Sequence, residues 1–296
     1  MQELGRLLVG VDFHPRSQTA AEMAVTLGRK TEACVDLIYV IENAPTETDA
    51  LVMGLDRDTI ERVEADEAQA ALDTLEKRLD YEKIRTEVAS GSAAGVLTQR
   101  YNENDADLLL IGNSGSQSPM PRHGLGVTAY RLVERGPDRV LVVKPGYHGA
   151  LDRIAAAIDY SAISGEVIRL GVSIAMLTGA RLFAVHAVST AMADSIRIAW
   201  GDGPANEAME RLRNDCEKRL NDVVQAYRGG GVQIHTMVLA GSVSSVLLTY
   251  LREEQIDLVV LGTGTTPRLA GYPIGSTTHS IVNETSASVL VVRAKE

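Results

Sequence analysis

Aromatic residues are scarce in this chain: one Trp and two Phe, with aromatics at 4% of a sequence that is 45% apolar. A core of that composition has to be built from aliphatic side chains, Val, Leu, Ile and Ala. Cysteine is scarcer still. Cys34 and Cys216 stand 182 positions apart and in no C-x-x-C pairing, which argues against a disulfide framework or a thiolate metal cluster and fits a reducing cytoplasm. Each is expected to be a small buried apolar residue. Long apolar runs are missing too, with nothing near the roughly 18 consecutive apolar residues that span a bilayer. The opening MQELGRLLVGVD enters a strand with no basic n-region or cleavage site, so a soluble, unprocessed, cytoplasmic protein without membrane insertion is expected. Positive charge is in deficit: 29 Lys and Arg against 39 Asp and Glu leave a net charge of −10. That balance argues against nucleic acid or anionic lipid as a partner, because both require basic patches. Any anion site must be local and made mostly of backbone dipoles.

Catalytic signatures are absent as well. There is no G-x4-G-K-(S/T) phosphate loop and no G-x-S-x-G elbow. The six histidines, His14, His123, His148, His186, His235 and His279, form no H-x3-H or H-E-x2-H cluster, so spacing indicates no metal site. His14 and His123 are the two that the fold could bring near one site. Arg122 and Arg268 read as solvated surface residues, with phosphate pairing as the alternative.

What is present is a strict alternation of apolar runs with segments of helical spacing. Strands are expected at Arg6 to Val11, Val35 to Ile41, Ile84 to Val88, Asp107 to Ile111 and Val140 to Lys144. Between them lie helices, one of them from about Asp58 to Leu79 with Val63, Ala68, Leu72, Leu75 and Leu79 on one stripe. The order then restarts at Arg153, and a long helix from Asn206 to Tyr227 places Leu212, Cys216, Leu220 and Val223 on its stripe. Alternating strands and helices mean parallel sheets covered on both faces. The expected fold is α/β, with two tandem five-stranded, mostly parallel sheets sandwiched by helices, in domains 1–147 and 148–296.

The restart is an internal duplication. Asp12 precedes Asp159 by 147 residues, while Gly91 and Gly241, Asp107 and Asp257, and Gly112 and Gly262 are each 150 apart. From Gly126 and Gly275 onward the offset is 149, so the first copy's glycine loop is one residue longer. The clearest stretch is Leu258 to Arg293: an apolar run, a loop from Gly262 to Gly275-Ser276, a helical segment and a second apolar run, Val289 to Val292. Small residues and the unpaired N–H groups of a helix start can cradle a phosphate, and they also make ordinary turns. Asp12 and Asp159 end their first strands, where open α/β sheets place ligands, and capping of the next helix is the competing role. Between the second strand and the long helix, Asn43 to Asp56 and Ser189 to Gly203 differ in content. The latter holds Met192, Ile196, Ile198, Ala199 and the sole Trp, Trp200, and reads as an amphipathic helix packed on its own domain, with a lid or partner surface as alternatives.

Taken together, the Asp-terminated first strands, the V-I-E and H-A-V ends of the second strands and the strand, glycine loop, helix and L-V-V strand at the end of each half resemble a tandem universal stress protein. The likeness covers the whole chain. It implies ATP, with or without Mg, held by a loop of the form G-x2-G-x9-G-(S/T), and an adenine facing the first-strand Asp and a second-strand apolar residue. Carried onto this chain, the nucleotide-facing positions are Asp159, Ala187, Gly241, Gly262, Thr263, Gly264, Thr265, Gly275, Ser276 and Thr277 in the second half. In the first half they are Asp12, Val40, Gly91, Gly112, Gly115, Gly126, Val127 and Thr128. Neither half matches in full. Thr265 replaces the middle glycine of the second loop, where Gly264 could supply the turn. In the first loop ten residues separate Gly115 from Gly126, and Val127 replaces the hydroxyl residue, with Thr128 beside it. The second site therefore ranks ahead. The resemblance implies a regulatory nucleotide-binding module rather than an enzyme, slow ATP hydrolysis staying open with no base to name. It further implies an internal pseudo-dimer through Val140–Val143 and Val289–Val292, and a homodimer is compatible with it. The alternative is a stress protein whose loops have drifted, acting as an interaction scaffold or binding another small ligand.

Overall fold

The computed structural model describes residues 4–42, 52, 54, 56–113, 124–263 and 275–294. The chain divides into two compact units, Met1–Pro145 and Gly146–Glu296. In the first unit the order is β1 (Arg6–Val11), α1 (Pro15–Thr31), β2 (Cys34–Ile41), α2 (Arg57–Leu79), β3 (Ile84–Ser90), α3 (Ala93–Glu103), β4 (Leu108–Gly112), α4 (Val127–Arg135) and β5 (Arg139–Val143). Its strands pair in parallel as β3-β2-β1-β4-β5. The second unit runs β6 (Arg153–Ala157), α5 (Ser164–Thr178), β7 (Arg181–Val188), α6 (Ala191–Trp200), α7 (Asp202–Gln225), β8 (Ile234–Ala240), α8 (Val243–Glu253), β9 (Leu258–Thr263), α9 (Ser276–Glu284) and β10 (Ser288–Arg293). The pairing is again parallel, β8-β7-β6-β9-β10.

Parallel strands buried on both faces read as unbroken aliphatic runs. Leu7, Leu8 and Val9 of β1 and Leu258, Val259 and Val260 of β9 accordingly expose none of their surface. In each unit the chain works outward from the first strand to one edge, then crosses back to add the fourth and fifth strands on the other side. The strand order thus reverses between β1 and β4, and between β6 and β9, opening a crevice at the carboxyl ends of those strands.

The duplicated Asp107 and Asp257 lie at the opposite edge and serve the fold. Asp107 Oδ2 accepts from the Gly5 and Arg6 N–H groups at 2.8 and 3.0 Å, and Asp257 Oδ2 accepts from Asp152 and Arg153, both at 2.8 Å. Each carboxylate fastens the start of a first strand to the start of a fourth.

Several sequence expectations need correction. On α7 the buried residues are Ala205, Cys216, Leu220 and Val224, not Val223, and Leu212 is 40% exposed. A spacing of four turns the row by about 40° per step, so Leu212 leaves the face that Cys216 to Val224 bury. Val63 on α2 is likewise exposed. Cys216 is buried as expected, whereas Cys34 is half-buried, its thiol 3.6 Å from Asp36 Oδ1, and burial and that carboxylate raise its pKa. The Ser189–Gly203 connection contains a helix, α6, packed against α7 with Ala193 buried, yet Ile198 and Trp200 point outward at 89% and 72% exposure. Most of Asn43 to Asp56 lies outside the described residues.

Candidate functional site

Strand register assembles the site. Val11 pairs with Tyr39, Gly10 with Ile111 and Gly112 with Val143. One or two steps further, the register sets Val40, Asp12, Asn113 and Lys144 side by side at the carboxyl edge of the first sheet. In the second unit Ala157 pairs with Val185 and with Leu261, and Thr263 with Arg293. The same continuation lines up Ala187, Asp159, Thr263 and Arg293. Each row therefore reads apolar, aspartate, polar, cation, from residues far apart in sequence.

The aspartates hold the turns that follow them. Asp12 Oδ1 accepts from the His14 N–H at 3.1 Å and the Ser17 hydroxyl at 2.5 Å. Asp159 Oδ1 accepts from the Ser161 N–H and the Ser164 hydroxyl, both at 2.9 Å. Neither is the capping residue of the next helix, which is His14 for α1 and Ile163 for α5; each instead closes an Asx-type turn just before it. Burial acts to raise the Asp159 carboxyl, but the hydrogen bonds from Ser161 and Ser164 outweigh it and leave its pKa below the usual carboxylate value.

The turn puts the next residue in the left-handed region, Phe13 at φ 61° and Tyr160 at φ 60°. Both rings fold onto the neighbouring strand: Phe13 stacks on Tyr39 at 4.8 Å, and Tyr160 lies 4.3 Å from the His186 ring. In the second unit the Arg219 guanidinium sits 4.3 Å from the Tyr160 ring centre, and the Tyr160 hydroxyl donates to Cys216 O at 2.8 Å. Burial pushes the Tyr160 phenol up to about 12. Sequence reasoning missed these rings, although Phe13 and Tyr160, and Tyr39 and His186, are each 147 apart like the aspartates.

Gly91 and Gly241 turn the chain from the third strand into α3 and α8. Their N–H groups donate to Ile41 O and Val188 O, both at 3.0 Å, and their φ values of 134° and 147° suit only glycine. Beyond that turn the units differ. The Ala93 N–H at the start of α3 donates to Glu42 Oε1 at 2.9 Å, and the residue corresponding to Glu42 in the second unit is Ser189. The first mouth thus carries an additional carboxylate.

At the glycine loops the two helix starts lie over the ends of β4 and β9. Gly126 N–H donates to Asn113 O at 2.7 Å, and the Thr278 hydroxyl donates to Gly262 O at 3.1 Å. In α9 the first helical bond is His279 N–H to Gly275 O, so the Ser276, Thr277 and Thr278 N–H groups have no acceptor within the helix. Its first turn has no acid and no side-chain cap. Ser276 is exposed and Thr277 half-buried, giving a polar opening. In α4 the matching first residue is Val127, 69% exposed, followed by a half-buried Thr128. Thr263 completes the second site. It is 6% exposed, and its hydroxyl oxygen is buried with no hydrogen-bond partner among the described residues. The expected site residues Gly115, Gly264 and Thr265 lie outside the described residues, as do Arg122, His123 and Arg268. His14 is placed beside Asp12. Among the described residues no group of three or more His, Cys, Asp or Glu is arranged to hold a metal ion, and no helix is long and apolar enough to cross a membrane.

Lys144, the cation of the first row, is 1% exposed. Burial, with the Arg16 guanidinium nearby, lowers its ammonium to about 7. A base whose folded pKa lies below its unfolded value makes the unfolded state bind more protons in between, so it penalises the fold fully below pH 7 and progressively less as pH rises toward its ordinary range. Lys144→Met should remove a stability gain with pH of up to about 1.4 kcal/mol per pH unit above neutrality. Urea unfolding midpoints of both chains between pH 6.5 and 9.5 measure it, and parallel curves would contradict the assignment.

Each unit is therefore an α/β domain of the class that takes ligands at the carboxyl ends of parallel strands, with a helix start facing the crevice. The model described as "Universal stress protein family" matches residues 3–144 and again 150–293. The chain belongs to the universal stress protein family, with two such domains in tandem. Universal stress protein Slr1230 of Synechocystis is 23% identical over 194 residues, 64% of this chain and 59% of that protein's length. Universal stress protein MJ0531 of Methanocaldococcus jannaschii is 24% identical over 141 residues, 48% of this chain and 81% of that protein. A universal stress protein structure from Archaeoglobus fulgidus covers 99% of both chains with a TM-score of 0.70 at 16% identity, which establishes the shared fold.

Proposed function

We propose that the second unit holds an adenine nucleotide, ATP with or without Mg, and that the chain acts as a regulatory binding module in stress responses. The observation that carries this reading is the buried Thr263 hydroxyl. It stands in the same row as Asp159, next to the open N-terminus of α9, and has no hydrogen-bond partner among the described residues. Leaving a buried hydroxyl unsatisfied costs about 1–3 kcal/mol, and a polar ligand seated in the crevice relieves it. The α9 start supplies N–H groups for phosphate oxygens, and Asp159 and Ala187 lie one and two strands across from Thr263, toward the place for the base. Occupancy stabilises the folded state and, by linkage, biases partner binding. Slow hydrolysis is compatible with this reading, and no described residue is in place as a base.

Heating the purified protein with and without Mg-ATP tests it. At 100 times Kd the nucleotide adds about 2.7 kcal/mol, a rise of several degrees in Tm, and Gly275→Asp should abolish it by setting a carboxylate against the phosphates. An unchanged Tm in wild type at saturating Mg-ATP overturns the reading.

For the first unit, exposed Val127 at the start of α4 and Glu42 at the mouth favour the second reading, a scaffold or a site for another small ligand. Pairing of the halves through Val140–Val143 and Val289–Val292, and a homodimer, belong to the same proposal. Within its own unit each strand ends the sheet as an apolar edge, which needs a cover.

A further inference from the structure

We propose that Arg293 is the residue that makes the second unit's site select an anionic ligand over its neutral counterpart, a nucleotide over its nucleoside. This deepens the proposed function and rests on it. Thr263 and Arg293 are register partners, so their Cα atoms lie on adjacent strands, about 5 Å apart, and their side chains leave the sheet on the same face. That face is not the one covered by α5: a Cβ on the preceding Gly262 would meet Ile163 and Val167 of α5, so Thr263 and Arg293 point to the other side. The Thr278 hydroxyl on Gly262 O holds the first turn of α9 at the end of β9, one strand from Arg293. Three features thus meet at one corner of the sheet: a buried Thr263 hydroxyl with no hydrogen-bond partner among the described residues, the N–H groups of α9 and a half-buried arginine at the next strand end.

The rest of the row explains why a cation is needed there. Asp159 is one strand further on, held as the carboxylate by Ser161 and Ser164. A negative charge about 5 Å from Thr263 opposes any second anion, and helix N–H groups give only about half a positive charge. Arg293 supplies a full one on the far side of Thr263, so the row is polarised from acid to base. A ligand with a neutral end at Asp159 and an anionic end at Arg293 fits this field. In the duplicate the fourth place in the row is again a basic residue, Lys144. The guanidinium stays charged throughout the accessible pH range.

The test is titration calorimetry with ATP and with adenosine on wild type, Arg293→Gln and Arg293→Lys, following the binding that Gly275→Asp removes. Loss of one charge-assisted contact corresponds to roughly 10-fold or more in affinity. The expected result is an ATP affinity at least tenfold weaker in Arg293→Gln, adenosine affinity unchanged within twofold, and recovery of most of the ATP affinity in Arg293→Lys. Equal weakening for both ligands would assign Arg293 to the fold alone and overturn the proposal. So would unchanged ATP binding in Arg293→Gln, with the nucleotide reading left standing. Failure of wild type to bind either ligand would overturn that reading, and this proposal with it.

Discussion

Gly112→Ala is expected to destabilise the first unit by about 3 kcal/mol, whereas the matching change Gly262→Ala should cost the second nearer 1 kcal/mol. The positions are duplicates, both near the end of a fourth strand just before a glycine loop, and both approach the start of the first helix of their unit too closely for a side chain. The difference is in what an added Cβ would meet. At Gly112 it would lie 2.9 Å from Arg16 C and 3.0 Å from Arg16 O and Ser17 N, all backbone of α1. The α1 backbone there is tied down, since Ser17 bonds Asp12 and lies in the first turn of the helix that packs on the sheet. At Gly262 the nearest atom is Ile163 Cγ2 at 2.4 Å, a side-chain branch methyl rather than backbone, so relief needs a shift of one side chain and not of the helix itself. Urea unfolding of the two single variants measures the difference, and equal costs would refute the steric account.

Asp159→Ala should lower stability by about 1–2 kcal/mol, since two hydrogen bonds to a charged acceptor are lost, an exposed one from the Ser161 N–H and a part-buried one from the Ser164 hydroxyl, and water replaces only part of them. Asp159→Asn should cost much less, because an amide oxygen can accept from the same Ser161 N–H and Ser164 hydroxyl. The pH dependence has a definite sign. The folded carboxyl has a pKa below its ordinary value, so its stabilisation is present above the unfolded pKa and is lost as pH falls through the folded one. The gap between wild type and Asp159→Ala should thus be full at pH 7 and shrink below about pH 4. A gap that stays constant down to pH 2.5 would show that the carboxylate charge contributes nothing.

The fold was legible because its signals are local. Short unbroken aliphatic runs such as Leu258 to Leu261, alternating with segments of helical spacing, fit strands covered on both faces, and the matched spacings of Asp12 with Asp159 and Gly112 with Gly262 exposed the duplication. Asp107 and Asp257 marked the repeat correctly, although they fasten strand starts at the edge away from the site. Less was legible about burial on long helices: Leu212 and Cys216 are four apart, yet only Cys216 is covered, because which part of a stripe meets the sheet is set by tertiary packing. The site was readable as a set of residue types and only partly as an arrangement. Strand register brings Arg293 beside Thr263 and Lys144 beside Asn113, and register leaves no trace in a single sequence. The stacked pairs Phe13–Tyr39 and Tyr160–His186 required a left-handed residue after each aspartate, again a property of the closed turn.

The proposed function requires one nucleotide site per chain, in the second unit. Equilibrium dialysis of labelled ATP against wild type, Gly126→Asp and Gly275→Asp tests it most directly, because each variant places a carboxylate at the start of one of the two loop helices. The expected result is close to one ATP bound per chain in wild type and in Gly126→Asp, and none in Gly275→Asp. Retention of ATP by Gly275→Asp together with its loss from Gly126→Asp, or no binding by any of the three, would contradict it.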